Sequence, residues 1–228
     1  MSRDAYTRRT VLAGLAGLGV SACASSPTLD LFATALSGVR DIGKPAAYPV
    51  SAAQIDALPY ASLGLRVGRS APAVVILASI EGEDLHWASA DRVVLVTRHG
   101  RLVKTVGLPR DLVGTQMSMS DPLIGFGKTP GDPSTARVYR FIDLRPKDDF
   151  GVAVESRFDE QGAETLRILG RDHETLRVRE RITVRKWRWS TENLFWLDRE
   201  NGRVWKARQQ FCPEVPAITF EVLKPAAA

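Results

Sequence analysis

The chain has 228 residues, with 31 lysines and arginines against 26 aspartates and glutamates, so its formal net charge is +5. A charge this small does not by itself indicate nucleic acid or another strongly anionic partner. The length is sufficient for one domain with a sizeable hydrophobic core.

Residues 1–22 have the three parts of a secretory signal peptide. A basic start with Arg3, Arg8 and Arg9 is followed by an apolar run over residues 11–20 and then by small residues. That run is about ten residues long, whereas a membrane-spanning helix needs on the order of 20. We therefore predict that this segment is a cleaved signal peptide and not a transmembrane anchor.

Residues 20–23, Val-Ser-Ala-Cys, resemble the bacterial lipobox, whose cysteine is acylated before the signal peptide is removed. We predict that Cys23 carries the lipid, such as palmitate, that anchors the protein to a membrane. Arg8 and Arg9 also resemble a twin-arginine export signal, so the export route stays open between twin-arginine and general secretion. Ala24 stands where an aspartate would resemble the signal for retention in the inner membrane. We therefore expect the outer membrane, with the protein facing the periplasm.

The second cysteine, Cys212, has no partner in the chain if Cys23 is lipidated. No internal disulfide is then expected despite the oxidising compartment. Because Cys212 follows Phe211, we predict a small buried apolar residue in preference to a reactive thiol.

Residues 23–49 are predicted to hold the lipid anchor, a tether and one short helix. Apolar residues recur at spacings of three and four over residues 29–40, with Thr28 as a possible N-cap, which is typical of an amphipathic helix. The tether over residues 24–28 spans at most about 18 Å. The folded body is therefore expected close to the membrane.

Residues 50–228 are predicted to form a single β domain. Alternating or β-branched apolar residues predict a series of strands. These strands cover residues 63–67, 74–80, 93–98, 101–106, 174–189, 192–200 and 203–211. Short turns and almost no helix after residue 40 favour an all-β fold. We expect an antiparallel, strongly curved sheet, either barrel-like or a sandwich, preceded by the short N-terminal helix.

Two glycine-containing pairs predict hairpin turns. His99-Gly100 and Asn201-Gly202 each separate two predicted strands, and Asn-Gly is the stronger signal. We expect Gly100 and Gly202 to have positive φ angles.

Residues 107–136 do not fit the strand pattern and are predicted to form one long loop. The segment is rich in glycine and proline and has little periodicity. Residues 125–129 end like a phosphate-binding loop, but Pro122 stands where that motif needs glycine. Nucleotide binding is therefore not expected, and the loop is interpreted as a functional flap or a mobile insertion.

No residue pattern predicts a catalytic site, a cofactor site or a metal site. The three histidines, His86, His99 and His173, are scattered without a metal-ligand spacing. The acidic residues considered as a carboxylate pair are Glu81, Glu83, Asp84, Asp148 and Asp149. Sequence does not show their separation in space, and such residues are also common in solvated turns.

The predicted strand over residues 174–189 carries the most suggestive surface. Leu176, Val178, Ile182 and Val184 would face the core, while the arginines between them face outward. A surface for an anionic partner would consist of Arg177, Arg179, Arg181, Arg185, Trp187 and Trp189. Arginine binds carboxylates and phosphates through paired donors. The alternative is an exposed face that arginine keeps soluble.

Several segments together resemble the YjbF/GfcB family of exopolysaccharide- and capsule-associated lipoproteins. The most specific is Gly-Arg-Leu-Val-Lys-Thr over residues 100–105. The other matching segments are residues 59–63, 87–91, 95–99, 107–109, 193–198, 202–206 and 222–225. The resemblance implies a mostly β, periplasm-facing domain encoded with other proteins of polysaccharide secretion, including an outer-membrane barrel.

The family has no established catalytic centre, so the resemblance supplies no catalytic residues. We expect a non-catalytic accessory lipoprotein of exopolysaccharide or capsule secretion or assembly, without a cofactor and without nucleic acid. Its expected partners are the membrane, an outer-membrane barrel and other secretion proteins, with the polysaccharide itself as a further candidate. Two alternatives stay open: a periplasmic enzyme that modifies the polysaccharide, and a structural lipoprotein of the envelope.

Overall fold

The computed structural model describes residues 48–126 and 137–226. The predicted signal peptide, Cys23 and the predicted helix over residues 29–40 lie outside these ranges. One α-helix, α1 (Ala52–Ala57), precedes twelve strands. The strands are β1 (Ser62–Val67), β2 (Ala73–Glu81), β3 (Asp84–Ala88), β4 (Val94–Arg98), β5 (Arg101–Val106), β6 (Asp111–Met117), β7 (Val138–Arg145), β8 (Asp149–Ile168), β9 (Arg171–Val184), β10 (Trp189–Asp198), β11 (Val204–Gln209) and β12 (Ile218–Lys224).

All twelve strands belong to one antiparallel sheet. Their order is β5-β4-β3-β2-β1-β12-β11-β10-β9-β8-β7-β6, so the two end strands follow each other in the chain. Side chains connect these ends, since the Leu112 amide donates to Thr105 Oγ1 at 2.9 Å and that hydroxyl donates to Asp111 at 2.9 Å. The sheet is therefore a nearly closed, barrel-like structure, as the strand pattern predicts.

The core lies inside this curved sheet and follows the alternation of side chains along each strand. In β7, for example, Val138, Ile142 and Leu144 are buried while Tyr139 and Phe141 are exposed. The same cluster continues through Leu95, Phe158, Val178, Phe195 and Phe220. Burial of these side chains supplies the main driving force for closing the sheet.

Helix α1 packs on the outside of the sheet. The Ser51 side chain accepts a hydrogen bond from the Gln54 amide, and the Gln54 side chain accepts one from the Ser51 amide, which forms a capping box. On the buried side of the helix, Ile55 belongs to a second apolar cluster with Leu166, Leu223 and others. The helix was not predicted, although the Ser51-x-x-Gln54 spacing is a signal for its start.

The predicted hairpins are both present. His99 and Gly100 have φ angles of 48° and 80° and connect β4 to β5 directly. Gly202 has a φ of 76°, but the turn there covers residues 199–203 and is longer than the predicted two residues. The reason is Asp198, whose Oδ1 accepts the backbone N–H groups of Glu200 and Asn201 and so organises a wider turn.

The prediction of one loop over residues 107–136 is wrong for its first half. Strand β6 lies there and pairs with β7, and residues Pro122–Ile124 form a 3-10 helix capped by Asp121. Leu123 and Phe126 are 2% and 3% exposed, so this segment enters the core. A register shift between Leu112 and Gly114 interrupts the alternation of β6, which is why the pattern was not recognised.

The predicted strand over residues 174–189 is also corrected. Strand β9 ends at Val184, residues Arg185–Trp187 form a 3-10 helix, and Arg188 has a left-handed φ of 48°. Trp189 begins the next strand, β10. The chain therefore reverses within the predicted strand.

None of the helices in residues 48–126 and 137–226 has the length and the apolar composition of a membrane-spanning helix.

Candidate functional site

The three strand arginines of the predicted anionic-partner surface lie on the outer face of β9, and each is already paired. The side chains of Arg177, Arg179 and Arg181 are between 25% and 52% exposed. The acidic partners come from the neighbouring strands β8 and β10. Arg177 pairs with Glu164 at 3.0 Å, Arg179 with Asp159 at 2.9 Å and Glu192 at 3.4 Å, and Arg181 with Asp159 and Glu192, both at 3.3 Å.

The other predicted residues of this surface lie off the strand face. Arg185 and Trp187 belong to the 3-10 helix, and Arg185 pairs with Glu155 at 3.6 Å. Trp187 and Trp189 are half-buried and pack against the main core. Binding of an anionic partner here therefore stays a prediction, and it lacks the unpaired arginines that would support it.

A buried network of charges lies inside the sheet. Arg101 at the start of β5 donates from Nη1 to Glu180 on β9, with a distance of 2.9 Å to Oε2. It also forms a two-bond contact with Asp121, in which Nη2 lies 3.0 Å from Oδ1. Arg140 on β7 donates from Nη1 to the second carboxylate oxygen of Glu180, Oε1. Two positive and two negative side chains thus balance each other in the interior.

Neutral side chains complete the shell around Glu180. The Ser156 hydroxyl donates to Oε1 at 2.7 Å, and Asn193 Nδ2 donates to Oε2 at 2.9 Å. Glu180 is 0% exposed, and Ser156 and Asn193 are 1% and 2% exposed. Each oxygen of the carboxylate therefore has more than one donor, which is what burial of a charge requires.

The pKa directions agree with a charged network. Burial alone would raise the pKa of Glu180, but Arg101 and Arg140 lower it well below its ordinary value. Burial would lower the pKa of Arg101, but Asp121 and Glu180 raise it above its ordinary value. Burial is the main reason that the pKa of Arg140 is lowered, against the effect of Glu180. Glu180 and Arg101 are both ionised at neutral pH.

The sequence contains one signal for this network, which lies at the inward positions of β9. In β9 the inward positions alternate as Leu176, Val178, Glu180 and Ile182, so a carboxylate stands in a series of apolar core residues. An inward charge needs an opposite charge from another inward position. The partners are 79 and 40 residues away in the chain, so sequence alone did not identify them.

A cavity of about 560 Å³ opens at one end of the sheet. Its walls come from strands β1, β2, β3, β4, β11 and β12, and residues 123–124 of the 3-10 helix also line it. The apolar walls include Leu63, Leu85, Trp87, Phe220 and Val222. The turns that contain Gly82, Gly100 and Gly202 surround its mouth.

Polar side chains of the cavity are concentrated at this mouth. Glu83 and His99 lie on adjacent turns with 3.1 Å between Oε1 and Nε2. Arg203 is on the third turn, and its guanidinium lies over the Trp205 ring at 5.5 Å. Deeper in the cavity, Trp87 Nε1 donates to Thr97 Oγ1 at 2.9 Å.

The acidic residues considered for catalysis are each paired with a basic side chain. The pairs are Glu81 with His86 at 3.6 Å, Glu83 with His99 at 3.1 Å, Asp84 with Arg98 at 2.6 Å, Asp148 with Arg145 at 3.8 Å, and Asp149 with Lys186 and Arg110. In the part of the chain that the structure describes, no group of three or more His, Cys, Asp or Glu side chains is placed to hold a metal ion.

The side chain of Cys212 is buried, as predicted, and among the described residues the thiol is free. Burial raises the pKa of its thiol to about 11. At neutral pH the thiol is protonated and inaccessible, which is the opposite of the environment that activates a cysteine.

Comparison with known proteins assigns the family. The model of the family described as "Group 4 capsule polysaccharide lipoprotein gfcB, YjbF" matches residues 30–223. The chain belongs to this YjbF family. It is 32% identical over 221 residues to the uncharacterized lipoprotein GfcB of Escherichia coli (strain K12), which covers 96% of this chain and 99% of that protein.

Two further comparisons agree with membership of the YjbF family. The uncharacterized lipoprotein YjbF of Escherichia coli (strain K12) is 28% identical over 173 residues, or 75% of this chain and 79% of that protein. The crystal structure of the hypothetical lipoprotein YmcC from Escherichia coli (K12) superposes with a TM-score of 0.69 at 33% identity. That match covers 78% of this chain and 91% of that chain.

Membership of the YjbF family supports two of the sequence predictions, that the protein is a lipoprotein and that it is associated with capsule. Its description and the names of both relatives identify lipoproteins, and the family description names a capsule polysaccharide. The chain is thus a member of a capsule-associated lipoprotein family of the cell envelope. Lipidation at Cys23 itself stays a prediction.

Proposed function

We propose that the protein is a non-catalytic accessory lipoprotein of exopolysaccharide or capsule secretion or assembly. In this proposal, lipid on Cys23 holds it to the outer membrane, and its β domain faces the periplasm. The observation that carries the proposal is the family match over residues 30–223 together with the lipobox-like residues 20–23.

A non-catalytic role is supported by the state of the carboxylates. Asp121 and Glu180 both bind Arg101, but their side chains are only 10% and 0% exposed. A pair of catalytic carboxylates must reach the scissile bond from both sides of a sugar ring. These two are instead occupied by guanidinium groups inside the core, so they favour a structural role over polysaccharide cleavage.

The proposed partners are an outer-membrane barrel and other proteins of polysaccharide secretion. The short predicted tether supports a position close to the membrane surface, where such a barrel opens toward the periplasm. This part of the proposal rests on the family resemblance. Co-purification from detergent-solubilised membranes, followed by mass spectrometry, identifies the partner directly.

Deletion of the gene in its native host tests the proposed function. The surface polymer is quantified, and its repeating unit and chain length are determined by sugar analysis and gel electrophoresis. An accessory role predicts less polymer at the surface, an unchanged repeating unit, and recovery on complementation. A normal amount of polymer with altered linkages or modifications contradicts the proposal and supports an enzyme. Unchanged polymer with a weakened envelope contradicts it in favour of the structural alternative.

A further inference from the structure

The cavity at the end of the sheet is apolar in its depth. Leu63, Trp87 and Phe220 are 1%, 3% and 2% exposed, and they line the same space from three different strands. The indole N–H of Trp87 is already bonded to Thr97 Oγ1 at 2.9 Å. Among the described lining residues, the deep side chains thus present no free hydrogen-bonding group except the remaining capacity of the Thr97 hydroxyl.

This distribution discriminates between ligand classes. A sugar has hydroxyl groups on every side, and burying them in this space would leave them without partners, at a cost for each unpaired group. Apolar cavities instead bind apolar molecules and are poorly filled by water. The depth of the cavity therefore suits a hydrocarbon chain and not a segment of polysaccharide.

The mouth of the cavity, unlike its depth, combines apolar surface with polar and charged side chains. Ile80 and Ile124 line it and are 53% and 43% exposed, so the apolar surface continues out to the rim. Beside them, the paired Glu83 and His99 and the cationic Arg203 come from three turns. A molecule with an apolar chain and a polar head would place each part in a matching environment.

We propose that this cavity binds one fatty acyl chain, inserted with its methyl end toward Trp87 and its polar head at the mouth. A methylene group takes up about as much space as a water molecule, roughly 30 Å³, so a chain of about sixteen carbons needs roughly 480 Å³. The cavity volume of about 560 Å³ is of the same size.

Two sources supply the same chemistry: a lipid of the membrane, or an acyl chain attached to Cys23 of the protein itself. From Cys23 to Tyr48, where the described structure begins, the chain can reach at most about 90 Å when fully extended. The lipid on Cys23 can therefore reach the cavity, and a membrane lipid can reach it if the domain lies at the membrane surface, as the predicted short tether implies.

Titration calorimetry with fatty acids tests the proposal on the mature protein carrying Cys23→Ser. Palmitate is expected to bind, and affinity is expected to rise about three- to fourfold for each added methylene until the cavity is full near sixteen carbons. Absence of binding, or an affinity that does not depend on chain length, overturns the proposal.

A substitution in the wall locates the site. Leu85→Trp fills part of the cavity and is expected to weaken palmitate binding at least tenfold. The control, Val113→Trp, places the same ring on an exposed position of β6 and is expected to leave binding unchanged. Because Leu85→Trp also affects the core, Ile124→Glu at the exposed rim is a second variant. It places a negative charge beside the fatty acid carboxylate and is expected to weaken binding without unfolding the domain. Wild-type affinity in both cavity variants rejects this location.

A photoactivatable palmitate fed to cells distinguishes the two sources in the lipidated wild-type protein. A cross-link between the Cys23 peptide and a peptide containing Trp87 assigns the protein's own lipid. A cross-link of that peptide to a free phospholipid assigns the membrane. Cross-links confined to peptides outside the cavity contradict the proposal.

Discussion

Replacing Glu180 with glutamine removes the negative charge at the centre of the buried network while keeping the shape of the side chain. Arg101 and Arg140 then share only Asp121 as an acidic partner in the network, and Arg140 loses its direct contact with a carboxylate. Removing one partner of a buried ion pair typically costs 3–5 kcal/mol, because the other charge stays buried without compensation. We expect Glu180→Gln to lower the free energy of unfolding by about 3 kcal/mol or more.

The matched control is Glu164→Gln. Glu164 also pairs with an arginine, Arg177, but both side chains are more than a third exposed. Exposed ion pairs contribute about 0–1 kcal/mol to stability. The free energy of unfolding of this variant should therefore lie within about 1 kcal/mol of that of the unmodified domain. Urea unfolding of the mature domain with Cys23→Ser, followed by tryptophan fluorescence, measures both values. Equal small losses in the two variants would refute the argument that the network stabilises the fold through paired charges.

The stability of the unmodified domain and that of Glu180→Gln should also depend differently on pH. The pKa of Glu180 is lowered in the folded state, so its contribution to stability is present above the unfolded value of about 4.3 and is lost as the pH falls toward the folded value. The unmodified domain should therefore lose stability more steeply below about pH 4 than Glu180→Gln does. Parallel slopes in acid unfolding titrations would contradict this assignment.

Three further substitutions or treatments test other parts of the structure. Gly100→Ala should lower the free energy of unfolding by clearly more than the roughly 1 kcal/mol expected from the left-handed φ of this residue alone. The reason is that an added Cβ would lie 2.3 Å from Val204 Cβ. The control Gly82→Ala, at a φ of 62° with open space around it, should show the backbone cost only. Cys212 should resist a thiol reagent in the native domain and react once denaturant unfolds it, because the buried thiol is protonated at neutral pH. Cys23→Ser should lose the lipid, which mass spectrometry detects, and the same variant with a cleavable signal peptide that has no lipobox in place of residues 1–22 should leave the membrane fraction.

The local elements were predictable where one face of a strand is consistently apolar. Strands β4 and β5 were recognised from alternating residues around His99-Gly100, because that turn needs positive φ at both positions and places the strands in register. Strand β6 was not predictable in this way. Its register shift between Leu112 and Gly114 interrupts the alternation of buried and exposed side chains.

The long-range contacts were not predictable in the same way. The alternation in β9 indicates that Glu180 points inward, but the sequence does not say that Arg101 and Arg140 come to meet it. The ion pairs of the outward arginines were not predictable either, because their acidic partners Asp159 and Glu192 lie on two different strands. Pairing across a sheet depends on the strand order, which no local pattern contains.

We propose above that a lipid-anchored, non-catalytic domain supports polymer secretion. We would measure the amount of surface polymer in a deletion strain that produces, at equal levels, either the wild-type protein or Cys23→Ser carrying a cleavable signal peptide without a lipobox in place of residues 1–22. We expect the wild-type protein to restore the polymer, whereas the unanchored domain, although folded and exported, does not. Full restoration by Cys23→Ser would contradict the proposal, because the domain would then act without being held at the membrane.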